Sequence, residues 1–377
     1  MKIAILADPL DNQSAGVHTY TKQLIQALAA SNSENEYLIV REKIDPDLAL
    51  PQLAIPNIRL PLGFGPIRLF FIIPFILRFK NVDAVFEPAH FGPFNLPKRI
   101  KRITMIHDLT PLLFPQYHRW HSQLLQRLFL GRILRKTDRI ITNSKHTTLD
   151  VERFFPSTIG KVSHIYLGVD PAFHPQVDHP VLEDLGLSSP YFLYVGTIEP
   201  RKQVDMLLRA FALFCKQEKF RDWKLVIVGQ IGWKADHVVQ LLDLFPYPAR
   251  IRQLGYVSNS ALVQLYSKAK SVIYPSSYEG FGLPVLEAMA CGTPAITSKN
   301  SSLVEVGGEW ALYFPTHDQS ALFNRMLQVA EGRRLPSAKQ LTEHARSFTW
   351  DSCAKAFWKI CTSHFKAEQK RQRKPKG

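Results

Sequence analysis

The sequence predicts an α/β protein built from two doubly wound parallel-sheet domains, and three observations predict it. Short apolar runs alternate with helical stretches through both halves of the chain. One segment rich in proline and aspartate interrupts the alternation near residue 168. The 377 residues exceed what one ordinary core accommodates. Strands that read as continuous β-branched runs are buried on both faces, and helices between them require parallel pairing.

In the first half the strand candidates are "KIAILA", "EYLIV", "DAVFE", "RITMIH" and "RIITNS", with helices over Val17 to Ala30 and Trp120 to Leu134. Residues 1–168 are assigned to an N-terminal domain. "LGVDPAFHPQVDHPVLEDLGLSSP", from Leu167, has no clear period and reads as a linker. The alternation restarts with "YFLYVG", a helix over Val204 to Lys216, and the strands "KLVIVG", "IRQLG", "SVIYPS" and "PAIT". Residues 169–350 thus form a C-terminal domain. An amphipathic helix over about 351–366 follows, with the N-terminal domain as a candidate to receive it, and a basic tail occupies 367–377. Two such domains are expected to face each other across a cleft and to bind ligands at the C-terminal edges of their strands.

With 46% apolar and 21% charged residues the chain is globular. Cys215, Cys291, Cys353 and Cys361 show no C-x-x-C or Cys/His ligand spacing, which fits buried thiols in a reducing compartment. "MKIAILADPL" soon turns polar and reads as a strand, not a signal peptide. The apolar run "LFFIIPFIL", Leu69 to Leu77, is too short to span a bilayer and is broken by Pro74. A cytoplasmic protein is expected.

The net charge is +15, concentrated in "KRIKR" at Lys98 to Arg102 and in "KAEQKRQRKPKG" at the end. Such clusters suit phosphate-bearing ligands or an anionic membrane surface. Without aromatic residues interleaved among the bases, no nucleic-acid partner is expected. "IRLFFIIPFILRFK", Ile67 to Lys80, sets large apolar residues between basic flanks. It reads either as a membrane-surface segment, peripheral on the inner face of the membrane, or as part of the core, and Pro74 argues against a long regular helix.

The chemistry concentrates in "SSYEGFGLPVLEAMACG", Ser276 to Gly292. A glycine loop at a strand end runs into a helix that is expected to begin at Pro284 and to stop at Gly292. No capping side chain precedes Pro284, so free N–H groups and the positive end of the helix dipole suit a phosphate. Gly280 and Gly282 let the backbone approach a ligand. Glu279 in the loop and Glu287 in the expected first turn are acceptors able to hold hydroxyls at the two ends of a nucleotide sugar. Each glutamate alone reads more readily as a polar loop residue or a dipole-stabilised helix residue than as a ligand group; the whole string is far more specific.

That string, E-G-F-G-L-P-V-L-E-A-M-A-C-G, resembles the E-x7-E signature of retaining glycosyltransferase family 4, whose members have the GT-B fold. The likeness covers nearly the whole chain. "YVGTIEPRKQVDMLLRAF" resembles the family's donor-phosphate segment and "KLVIVGQIGW" its next strand and loop. "IHDLTPLLFP", "ITNSKHT" and "IYLGVDPAFHP" resemble acceptor-domain and linker landmarks, in the manner of bacterial polysaccharide and O-antigen mannosyltransferases.

The resemblance implies a nucleotide-sugar donor and a glycan or lipid-linked glycan acceptor. It implies that Glu279 contacts donor-sugar hydroxyls, and that Gly280, Phe281, Gly282 and Leu283 offer backbone to sugar and diphosphate. Glu287 would hold the ribose. Arg201 and Lys202, after Gly196 at the strand end, would clamp the diphosphate and offset charge on the departing nucleoside diphosphate. His107, with Asp108 to hold its tautomer, would touch the donor sugar, and Gly16 in "SAGVHTY" would approach phosphate or acceptor. Ala15 stands where the family often has a second glycine. No general base is implied, and Glu279 is the first candidate for a covalent role.

No cofactor is implied, since the donor, with GDP-mannose as a candidate, is a substrate. No metal is implied either: Arg201 and Lys202 take its part, and the D-x-D at Asp45-Pro46-Asp47 reads as a turn. A dinucleotide-dependent oxidoreductase would need a G-x-G-x-x-G after the first strand, which is absent, and nothing marks the lysine of a pyridoxal-phosphate phosphorylase. A sugar-nucleotide epimerase and a non-catalytic sugar-nucleotide-binding protein of the same fold stay open. Loops such as Asp8 to Ala15 and Leu62 to Pro66 carry no readable code for acceptor or linkage.

Overall fold

Two parallel sheets, of seven and six strands, organise the chain in the computed structural model. The backbone is described everywhere except at residues 13–15, 32–35, 57–66, 94, 118–123, 125, 179 and 373–377. Side chains are further undescribed at 12, 126, 127 and 363–372. The chain divides into a first unit, Met1–Gly168 with the segment from Thr349, and a second, Val169–Phe348.

In the first unit lie β1 (Lys2–Leu6), β2 (Glu36–Arg41), β3 (Gln52–Ala54), β4 (Ala84–Glu87), β5 (Lys101–Ile106), β6 (Arg139–Thr142) and β7 (Val162–His164). Their order is β3-β2-β1-β4-β5-β6-β7. β1 pairs in parallel with β2 on one side, Ile3 opposite Tyr37, and with β4 on the other, Ile3 opposite Ala84. The chain winds outward from β1 and then restarts at β4, so the strand order reverses between these two strands. Ligands in doubly wound sheets bind at such a switch point.

The second unit repeats the plan with β8 (Tyr191–Val195), β9 (Lys224–Val228), β10 (Ile251–Gly255), β11 (Ser271–Tyr274), β12 (Ala295–Ser298) and β13 (Leu312–Phe314). Their order, β10-β9-β8-β11-β12-β13, puts the switch point between β8 and β11. The three strands that the sequence does not suggest, β3, β7 and β13, are three-residue edge strands. Periodicity has no room to develop over that length.

Phe192, Phe211, Phe214 and Trp223 anchor the second core, with Phe192 and Trp223 ring centroids 4.9 Å apart. In the first unit Leu6, Val40, Ile73, Leu77 and Val85 fill one core cluster, and Ile106, Leu130, Leu134, Ile140 and Val151 fill another. Each such side chain gains roughly 1.5–3 kcal/mol on leaving water. The last helix runs from Trp350 to Gln372, longer than periodicity suggests, and seats Phe357 on Phe86 at 4.7 Å. The expected linker contains a short helix, Pro180–Asp184, because Leu182 and Leu187 are buried. The expected helix over Trp120 to Leu134 falls partly outside the described residues; its described part is helical over Gln126–Leu130 and Gly131–Lys136. All four cysteines are buried and unpaired.

Within Ile67 to Lys80 the chain is helical over Arg68 to Leu77 despite Pro74. A π-helical stretch, Arg68–Ile72, passes into an α-helix, Ile73–Leu77. Proline removes the N–H that would bond the carbonyl of Phe70, and the Asn95 side-chain amide donates to that carbonyl instead. The segment is both core and surface. Ile73 and Leu77 are fully buried, while Phe71, Phe75 and Phe79, four residues apart on the opposite face, are 65%, 64% and 66% exposed. Among the described residues no helix is long and apolar enough to cross a membrane.

Candidate donor site in the second unit

The C-terminal ends of β8 and β11 deliver the two segments that carry the site. β8 ends at Val195 and is followed by Gly196, whose φ of +147° favours glycine, and the chain reaches the short turn Pro200–Lys202. β11 ends at Tyr274 and opens the loop to Glu279. The loops are stitched together, since the Ser277 N–H donates to the Arg201 carbonyl at 2.8 Å. Two of the sequence-predicted groups, far apart in the chain, are thereby brought into contact.

Glu279 is the centre. Its Oε1 accepts from Lys202 Nζ at 2.6 Å and from the Tyr274 hydroxyl at 2.9 Å, and Arg201 Nη1 lies 2.8 Å away. Lys202 also donates to the Tyr274 hydroxyl, and Arg201 Nη2 donates to Glu199 Oε1 at 2.6 Å. Glu279 and Lys202 are each only 8% exposed. Burial alone would raise the Glu279 carboxyl, but Arg201 and then Lys202 outweigh it and hold the group down at about 2. Burial also depresses the Lys202 ammonium, an effect that Glu279 opposes. Arg201 and Lys202 are therefore not bare cations awaiting an anion; they are already bonded to Glu279.

The helix after the loop spans Leu283–Ala290, one residue earlier than expected, so Pro284 is its second residue. Its cap, Gly282, has φ +109° and provides no side-chain hydrogen bond. That φ demands glycine, and a Cβ there would also press on the Leu303 Cδ2 methyl at 2.7 Å. Ser302 fixes the loop by donating to the carbonyls of Glu279 and Phe281, both at 2.8 Å.

Glu287 is the fifth helical residue and not a first-turn residue, which removes the dipole as its stabiliser. Its partner is the Tyr266 hydroxyl, donating at 2.7 Å. Burial pushes this half-buried carboxyl up to about 7, with the Tyr266 bond opposing.

The remaining candidates lie in the first unit. His107, just beyond β5, is buried against the edge of Tyr20 at 4.9 Å. Its Nε2 is 2.8 Å from the Pro88 carbonyl, which can only accept, so Nε2 carries the hydrogen. Pro88, not Asp108, sets the tautomer; Asp108 accepts from the Thr110 N–H and hydroxyl at 2.9 and 2.6 Å. Burial, aided by His90, lowers His107 to about 4, so the ring is neutral at physiological pH. Gly16 begins the Gly16–Ala30 helix, and a Cβ there would meet nothing within 4 Å. Ser14, Ala15 and Leu62 to Pro66 lie outside the described residues.

Asp45 of the D-x-D accepts from the Asp47 N–H at 3.1 Å and pairs with Arg41 at 3.0 Å, closing a turn. Among the described residues no group of three or more His, Cys, Asp or Glu is arranged to hold a metal ion. Sequence reasoning missed Glu199, Tyr266 and Tyr274. Glu199 stands two residues before Arg201 in a segment already singled out; a tyrosine within a strand or helix gives no sign that its hydroxyl serves a carboxylate.

Comparison with known proteins supplies the context. A family model described as "Glycosyl transferases group 1" matches residues 183–348, and one described as "Glycosyltransferase Family 4" matches residues 14–173. The chain is 30% identical to the O-antigen chain mannosyltransferase B of Escherichia coli, over 94% of this chain and 97% of that protein. The structure is similar to that of a sucrose-phosphate synthase from Thermosynechococcus elongatus, with TM-score 0.75 and 23% identity over 97% of this chain and all of that one. It is also similar to Anabaena HepE in complex with UDP-glucose, with TM-score 0.74 and 17% identity over 96% of this chain and all of that one.

Proposed function

The chain belongs to glycosyltransferase family 4 and has the GT-B fold, and on that premise we propose that it is a retaining, metal-independent mannosyltransferase of cell-surface polysaccharide synthesis. The donor is a nucleotide sugar, GDP-mannose before others, and the acceptor a glycan or lipid-linked glycan. The observation that best supports this reading is the Arg201–Lys202–Glu279 cluster at the β8/β11 switch point, beside a helix start without a side-chain cap. Neither an epimerase nor a non-catalytic binder is favoured, because the full-length relative is named as a mannosyltransferase.

In this reading a donor diphosphate exchanges with Glu279 for the hydrogen bonds of Arg201 and Lys202. The released carboxylate turns to the sugar hydroxyls, and the two cations stabilise the leaving nucleoside diphosphate. N–H groups at Phe281, Gly282 and Leu283 complete the phosphate contact, while Gly196 and Gly280 let the backbone come close. Glu287, steadied by Tyr266, takes the ribose. His107 donates its Nε2–H to Pro88, so it meets a sugar hydroxyl as an acceptor through Nδ1. Gly16 lies on the acceptor side.

Incubation of the protein with GDP-mannose and a mannosyl-terminated acceptor tests the reading. An α-linked product by proton NMR, formed equally in excess EDTA, is expected. A β-linked product would remove the retaining mechanism, and loss of turnover in EDTA would remove the metal-free one.

The protein acts at the inner face of the membrane as a peripheral enzyme. The Phe71, Phe75 and Phe79 stripe supports this, lying beside exposed Arg78 and Lys80, with exposed Arg99 donating to the Arg78 carbonyl. Apolar rings with a basic rim match an anionic bilayer surface. Retention in the supernatant with phosphatidylglycerol vesicles at low salt would end this part of the proposal.

A further inference from the structure

The switch point of the first sheet holds a buried acidic pocket that none of the family motifs covers. Its volume is about 180 Å3, walled by Leu6, Leu69, Ala89 and Phe91, with Asp8 and Glu87 as polar members. This is smaller than the roughly 300–1,000 Å3 of drug-sized pockets and suits a single ring.

Glu87 ends β4 and is 5% exposed; Arg68, behind Asp8, is 3% exposed. Arg68 Nη1 bonds Asp8 Oδ2, and its Nε–H donates to the Ile55 carbonyl at 2.7 Å. Glu87 Oε1 accepts from the Ala89 N–H at 2.5 Å. Three buried atoms of this group, Glu87 Oε2, Asp8 Oδ1 and Arg68 Nη2, have no hydrogen-bond partner among the described residues. An unsatisfied buried polar atom costs about 1–3 kcal/mol, so the two carboxyl oxygens at the pocket, with Arg68 behind Asp8, call for a partner from outside the chain.

The surrounding backbone is shaped to hold this arrangement. His90 has φ +72°, and the Phe91 N–H donates to the Ala89 carbonyl at 2.9 Å, a strained tight turn. A Cβ at Gly92 would lie 2.9 Å from the Glu87 Cβ, so Gly92 leaves the room that the Glu87 side chain occupies.

Burial, with Asp8 adding to it against the Ala89 hydrogen bond, pushes Glu87 up to about 8, so at neutral pH it carries a proton and can donate. The charge of Asp8 is matched by Arg68. The pocket thus offers hydroxyl donors and acceptors without net charge, beside apolar walls. Among the described residues it holds no cation to spare for a phosphate, and a carboxylate would meet Asp8.

We infer that this pocket binds one neutral sugar ring of the acceptor, Glu87 and Asp8 each holding a ring hydroxyl while Phe91 and Leu69 meet its apolar face. The inference rests on the transferase reading and assigns a part of the acceptor site that the family signature does not describe. Glu87 and Asp8 are specificity residues, since they contact the ring and not the reacting bond.

The test uses the full chain with GDP-mannose as donor and methyl α-mannoside as acceptor probe, and compares Glu87→Leu, Glu87→Gln and Phe91→Ala. Glu87→Leu and Phe91→Ala are expected to raise the acceptor KM about tenfold or more, the scale of one lost buried hydrogen bond or apolar contact. The donor KM and the slow hydrolysis of GDP-mannose stay within about twofold of wild type. Glu87→Gln, neutral and still able to donate and accept, restores most of the acceptor affinity. Unchanged acceptor KM in both impaired variants overturns the inference, as does an equal rise in donor KM, which would mean that the pocket takes the donor. Should Glu87→Leu fail to fold, half-buried Phe91 decides. Saturation-transfer NMR of methyl α-mannoside on wild type and variants separates this inference from the reaction assignment. If wild type turns over no GDP-mannose but binds the probe, and Phe91→Ala loses that binding, the pocket stands while the donor assignment falls. No probe signal on wild type overturns the pocket.

Discussion

At the β8/β11 switch point Glu279 meets Arg201, Lys202 and the Tyr274 hydroxyl, whereas at the β1/β4 switch point Glu87 accepts a hydrogen bond from the Ala89 N–H and leaves Oε2 unpaired. Both carboxyls are buried just beyond or at a central strand end. Burial pushes each upward, yet one settles at about 2 and the other at about 8, because cations face only the first. The repeated fold brings a carboxyl to each switch point. The neighbours of each carboxyl decide whether it serves as an anion or as a neutral hydrogen-bonding group.

The largest expected effect comes from breaking the saturated cluster. Glu279→Ala leaves Lys202 buried without its carboxylate and should cost about 3–5 kcal/mol, read as a fall in Tm by calorimetry. Adding Lys202→Met should recover most of that loss. Equal melting of the single variant and wild type would mean that the pair is not coupled. Arg201→Ala, at the more open side of the cluster, should lower turnover at least about tenfold, as expected for a lost charged hydrogen bond.

Opposite pH responses sharpen the comparison. Glu279 lies below its ordinary 4.5, so its contribution is complete above that pH and is lost as pH falls toward about 2. Glu87 lies above 4.5, so its contribution is complete below that value and is lost as pH rises through about 8. His107, lowered from 6.5 to about 4, changes stability only below the Glu87 test window, and Glu287, near 7, shares the sign of Glu87. The difference in Tm between wild type and Glu87→Gln therefore isolates Glu87 between pH 6.5 and 8. The variant should gain on wild type as pH rises across that window. A flat difference would place Glu87 in its ionised form.

A smaller effect on stability, with a large one on location, is expected at the phenylalanine stripe. Replacing Phe71, Phe75 and Phe79 together by serine should abolish sedimentation with phosphatidylglycerol vesicles, while each exposed change alters stability by about 0.5 kcal/mol or less. Ile73→Ser, on the buried face, should instead unfold the first unit. Truncation from Lys370 should weaken vesicle binding chiefly at low salt. Unfolding of the triple phenylalanine variant would mean that the stripe is packed.

The smallest change is Tyr266→Phe. It removes one hydrogen bond to Glu287, about 1 kcal/mol, and lets the carboxyl rise further. Donor affinity should then decline at a higher pH than in wild type if the ionised Glu287 is the form that binds; an unchanged pH profile would detach Tyr266 from the site.

The amino-acid sequence by itself determined the two sheets and the position of the donor loop. Central strands such as "YFLYV" and "SVIY" are buried on both faces, so their apolar runs stand out without a partner in view. The string from Glu279 to Gly292 is legible because its glycines, proline and helix act over neighbouring residues. Tertiary structure alone decided what those residues meet. Lys202 and Glu279 are 77 residues apart, and no local pattern foretells that they neutralise each other. Asn95 donates to the Phe70 carbonyl, which Pro74 cannot bond, and only the fold shows which phenylalanines face outward. Asp8 and Glu87 come from separate segments and line one pocket because winding outward from β1 and restarting at β4 sets those strand ends side by side, while Arg68, from a third segment, backs Asp8. Periodicity and loop chemistry are short-range and written in the chain, whereas charge pairing, burial and the pKa values that follow from them belong to groups that meet only after folding.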